Sequence, residues 1–161
     1  MDLMTWQDQL SDWYDNRKHD QVESLEAILY QSPVAVFGPE LTDEQSKAIA
    51  CWLDGCLRVF QHARHQDHQK AFQILQYTGA KLEQSACQPM TDILIKDWCL
   101  KRLQHLTVLA LEFCNQQHDQ TEWQQQASNL IESHVALMRS LNWNEGWVSE
   151  KERENPSLTK H

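Results

Sequence analysis

Three histidines at three-residue intervals, His62, His65 and His68, form the densest set of potential metal ligands in the chain. Residues three apart on a helix share a face, so His62 and His65 have chelating spacing. His68 falls too far round a straight helix to join them, and Asp67 points to a different side. A partial ligand set on a polar run reads as an exposed helix end, so no metal is expected. A di-iron bundle would need paired Glu-x-x-His motifs. None of the eight histidines has a glutamate three residues before it.

The five cysteines are Cys51, Cys56, Cys87, Cys99 and Cys114, an odd number with no Cys-x-x-Cys among them. Cys51 and Cys56 would point about 140° apart on a helix. Most of the set sits in apolar helical patterns, which suits reduced thiols packed in a core. Nucleophilic catalysis has no local support. There is no Gly-x-Ser-x-Gly elbow, and the four glycines are too scattered for a phosphate loop. A non-enzymatic protein without a cofactor is the expectation.

Charge and aromatics offer binding chemistry instead. The net charge is −9. Residues 1–45 carry ten acids against Arg17 and Lys18, whereas 46–105 carry eight Lys/Arg against five acids. That mildly basic middle includes Arg58, Arg64, Lys70, Lys81, Lys96, Lys101 and Arg102. Gathered on one face, these cations would suit an acidic partner or nucleic acid. Paired with the chain's own acids, they would be ordinary surface. Of the seven tryptophans, Trp6, Trp13, Trp52, Trp98 and Trp123 fit apolar stripes. Trp143 and Trp147 do not, and large aromatics placed beyond the core are frequent partner contacts. The expected partner-binding residues are therefore Trp143, Trp147, Arg58, Arg64, Lys101 and Arg102.

The secondary structure expected to carry these residues is helical. Glycine and proline number four each, too few for the turns of a sheet. A stretch over 5–29 carries Trp6, Leu10, Trp13 and Tyr14, then Val22, Leu25, Ile28 and Leu29, with a break near Asn16. Residues 33–39 form a non-helical linker whose Val34, Val36 and Phe37 pack on the bundle. Thr42 and Gln45 have capping-box spacing at the start of the next helix. Its stripe is Ile49, Trp52, Leu53, Cys56, Val59 and Phe60. Asp67 caps a third helix, in which Gly79 permits a close helix approach. After Pro89 a fourth helix over 91–117 spans roughly 40 Å. It is apolar nearly all round and is expected to be central and largely buried. A fifth carries Trp123, Ala127, Leu130, Ile131, Met138 and Leu141 and ends at Asn142.

The expected architecture is thus all-α: a compact bundle of about five helices over residues 1–148, with a disordered polar tail over 149–161. No signal peptide opens the chain, and no run approaches the ~20 apolar residues of a membrane span. A soluble, cytoplasmic location follows, and the glutamine-rich composition suits a bacterial protein. The expected function is a protein-binding regulator or adaptor, one version being an inhibitor or immunity-type protein. The alternative is a nucleic-acid transaction or transcription/replication accessory protein using the basic middle face. A homo-oligomer through the fourth helix is a further expectation.

Overall fold

The structure is a computed structural model that describes residues 1–16 and 21–154, with helical backbone alone over 142–154. All regular structure among them is helical. Six α-helices run Leu3–Asp15 (α1), Val22–Tyr30 (α2), Asp43–Ala63 (α3), His68–Cys87 (α4), Ile93–Asn115 (α5) and Gln120–Glu154 (α6). A 3-10 turn, Val34–Phe37, lies between α2 and α3. The fold is all-α as expected, with one helix more than five. The extra element arises because the 5–29 stretch splits at Asn16. There the Asn16 amide donates to the Asp12 carbonyl at 2.8 Å and closes α1.

The chain divides into two compact units, Met1–Leu106 and Thr107–His161. In the first unit α3 is the element against which α1, α2, α4 and the 3-10 turn all pack. Its stripe is buried throughout, from Ile49 and Trp52 to Val59 and Phe60, because apolar residues repeat with the helical period over about three turns. α2 approaches closely at Gly55. A Cβ there would stand 2.7 Å from the Leu29 Cδ2. Gly79 has no such role, since a Cβ there would meet only Leu103 Cδ1 at an ordinary 3.6 Å.

Polar groups fix the helix ends. Asp2, Thr42 and Asp67 each accept a hydrogen bond from the backbone N–H three residues on, at 2.7, 3.0 and 3.1 Å, which satisfies orphan donors. Only half of the capping box at Thr42 forms. The Gln45 side chain turns away and donates to the Val36 carbonyl at 2.9 Å. α1 is tied to α2 by the Trp6 indole, which donates to the Ile28 carbonyl at 2.8 Å.

Two expectations about helix burial are corrected. The fourth predicted helix corresponds to α5, and it is not largely buried. Ile95, Cys99, Leu103 and Leu106 face inward, but Ile93, Leu94 and Val108 are exposed. Three consecutive apolar residues span about 200° of a helix, so one side cannot bury them all. Within the linker, Val36 packs inside and Phe37 stacks edge-on against Trp52 at 4.8 Å. Val34 is instead exposed.

In the second unit the end of α5 pairs with α6. Phe113 and Trp123 meet edge to face at 5.4 Å, and the Gln117 amide donates to the Phe113 carbonyl at 2.8 Å. Ile131, placed on the buried stripe by periodicity, is exposed, and Leu137 is buried. α6 continues past Asn142 to Glu154, so 149–154 of the expected tail are helical. Residues 155–161 lie outside those described. Among the described residues no helix is long and apolar enough to cross a membrane.

Candidate functional site

The candidate surface lies where the chain between α2 and α3 meets the chain between α4 and α5, all within the first unit. After Pro33 the 3-10 turn runs into Gly38, whose φ of +114° lies in the region only glycine enters readily. The Gly38–Pro39 peptide is cis. Buried side chains from two helices hold the turn's carbonyls. Ser85 on α4 donates to Phe37 at 2.6 Å, and Gln45 on α3 donates to Val36. The Asp92 N–H donates to the Pro39 carbonyl at 2.9 Å, joining the two connecting segments. The Asp92 carboxylate accepts from Leu94 N at 2.8 Å at the start of α5.

This arrangement leaves apolar side chains outside. Val34 and Met90 are each 81% exposed, Ile93 73% and Leu94 63%. Leu41 is also exposed. They flank two clefts. The first, of about 310 Å³, lies between the 3-10 turn and the end of α4, with Val34, Phe37, Lys81 and Met90 in its lining. The second, of about 250 Å³, is lined by Leu41, Leu94 and Trp98. Exposed large apolar side chains gathered at two clefts are what a partner surface requires. Lys81 holds its ammonium 5.5 Å from the centre of the Phe37 ring and 5.9 Å from that of Tyr77, within cation–π range.

The sequence-predicted residues lie elsewhere. Arg58, on α3, pairs with Asp54 at 3.0 Å and stands 5.0 Å from the centre of the Tyr14 ring. The Tyr14 hydroxyl donates to the same carboxylate at 2.8 Å. Burial, then Asp54, pushes the Tyr14 phenol well above its ordinary value. Arg64 caps α3 and stands over Phe60. On α5, Lys101 pairs with Asp97 at 2.9 Å and Arg102 stands over Trp98 at 4.9 Å. Each cation is thus held by its own helix or its immediate neighbour. Trp143 and Trp147 fall within the helical backbone of α6, not after the last helix, and their side chains lie outside those described.

The other candidate groups are dispersed. His62 lies in the last turn of α3, His65 in the following turn and His68 at the start of α4. Cys56, Cys99 and Cys114 are buried, Cys51 is half-buried and Cys87 is exposed at the end of α4. Burial raises the Cys56 thiol to about 12, so it is neutral and unreactive at ordinary pH.

Sequence reasoning missed Met90 entirely and placed Val34, Ile93 and Leu94 inside. The available signal was the run Ile93-Leu94-Ile95, which no single helix face can accommodate. No family model, curated protein or solved structure matches the chain.

Proposed function

We propose that this chain is a non-enzymatic regulator or adaptor that binds another protein through the first unit. The observation that carries the reading is the cluster Val34, Leu41, Met90, Ile93 and Leu94, exposed together around the Pro39–Asp92 junction. Large apolar side chains left outside a well-packed bundle cost solubility unless something covers them. An inhibitor that caps another protein's functional face is one form of this role. The five cysteines are all free, which supports action in the reducing cytoplasm.

The nucleic-acid reading draws less support. Of the eight middle cations, Arg58, Lys70 and Lys101 are paired to carboxylates of the same chain.

The test is affinity purification of the full chain from its native cell, alongside Met90→Asp and Leu94→Asp variants, with mass spectrometry. One stoichiometric protein should be recovered by the wild type and lost from both variants. Recovery of nucleic acid with steep salt dependence, or no difference between wild type and variants, would contradict the proposal. Sedimentation of the purified chain separates a second copy from a foreign partner.

A further inference from the structure

The first cleft carries a charge pattern that specifies its occupant. Among the described residues Lys81 is the one charged residue in its lining, and no aspartate or glutamate lines it. Among the described residues no carboxylate pairs with Lys81, whereas Arg58, Lys70 and Lys101 each have one. The ammonium is nevertheless positioned, held beside Phe37 and Tyr77. Val34 and Met90 offer bare apolar surface in the same lining. An anionic group entering beside Lys81 would complete a charge-assisted hydrogen bond in a partly apolar setting, where it is stronger than in open water.

We infer that this cleft binds an internal segment of the partner in which an aspartate or glutamate lies beside a large apolar side chain. The carboxylate pairs with Lys81, and the apolar group packs between Val34 and Met90. Ile93 and Leu94, exposed three and four residues on from Met90, offer further apolar contacts outside the cleft, which suits a segment that runs on past it rather than a chain terminus that ends in it. The inference rests on the protein-binding reading above and adds the partner's chemistry.

The experiment selects a displayed library of random heptapeptides, blocked at both ends by flanking sequence, on the immobilised full-length protein. Enriched sequences should combine Asp or Glu with a large apolar residue. Synthetic copies should bind about tenfold more weakly to Lys81→Met, which keeps the aliphatic stem. Selection on Lys81→Glu should replace the acids with Lys or Arg. Met90→Asp should abolish binding, and circular dichroism should show native helix content for every variant. Apolar peptides without acidic preference, insensitive to Lys81→Met but lost in Met90→Asp, would overturn this inference and leave the protein-binding reading standing. Preference for a free C-terminal carboxylate in a second library with open ends would overturn the internal-segment assignment. No enrichment overturns the inference alone if the native partner is still captured through Met90 and Leu94. If that capture also fails, both readings fall.

Discussion

At the scale of single residues, the same side chain type meets opposite fates a few positions apart. Ile95 is buried while Ile93 is among the most exposed apolar residues. The thiols are graded in the same way, because a reagent must reach the sulfur and burial closes the approach. Treatment of the native protein with iodoacetamide near pH 8 should alkylate Cys87 first and Cys51 more slowly. Cys56, Cys99 and Cys114 should react only in denaturant. Peptide mapping by mass spectrometry reads this directly, and rapid native modification of Cys56 would contradict its placement. The glycines divide similarly. Gly79→Ala adds helix propensity with room for the methyl and should stabilise by about 0.5–1 kcal/mol. Gly55→Ala gains the same propensity but drives a methyl into Leu29, which is fully buried. Overpacking costs about 1–3 kcal/mol, so a net loss of about 1 kcal/mol should appear in urea denaturation.

At the scale of elements, the caps separate what each helix needs from what its neighbours need. Thr42 holds the start of α3 and Asp67 the start of α4, each through one backbone N–H. Thr42→Ala and Asp67→Ala should each destabilise by about 1 kcal/mol, measured as a shift in the urea midpoint at unchanged slope. Gln45→Ala should cost more, about 1–3 kcal/mol, because it strips the buried Val36 carbonyl of its donor. The 3-10 turn would loosen with it. Gly38→Ala imposes strain at φ of +114° and should cost about 1–3 kcal/mol. The cap positions were legible from residue type and spacing alone. The Gln45–Val36 bond was not, because it depends on how the preceding turn lies across α3.

At the scale of the whole molecule, the titration of phenols and thiols sets an alkaline limit. Burial raises Tyr14, Tyr30, Tyr77, Cys56, Cys99 and Cys114 above their ordinary values. In the unfolded chain the thiols lose protons from about pH 8.5 and the phenols from about pH 10. Between those values and the raised native ones, the native state holds more protons than the unfolded state. Stability therefore falls as pH rises. The urea midpoint should be level between about pH 7 and 8 and decline steadily above about pH 9. A midpoint that held or rose through pH 10 would contradict the burial of these groups.

Helical character, the starts of α3 and α4, and the inward stripe of α3 from Ile49 to Phe60 could all be read from residue order. Those features are local: they follow from the 3.6-residue period, from side chains that cap backbone N–H groups three residues on, and from the scarcity of turn formers. Which apolar residues were left over emerges only from the packing of the helices and their connections. Val34, Met90, Ile93 and Leu94 carry the same hydrophobicity as the core, and periodicity cannot rank faces on a helix that is apolar on most sides. Their exposure depends on how the Pro39 turn and the start of α5 are joined. That no carboxylate among the described residues pairs with Lys81 likewise depends on which acids the fold brings near each cation, a property of packing between segments distant in the chain.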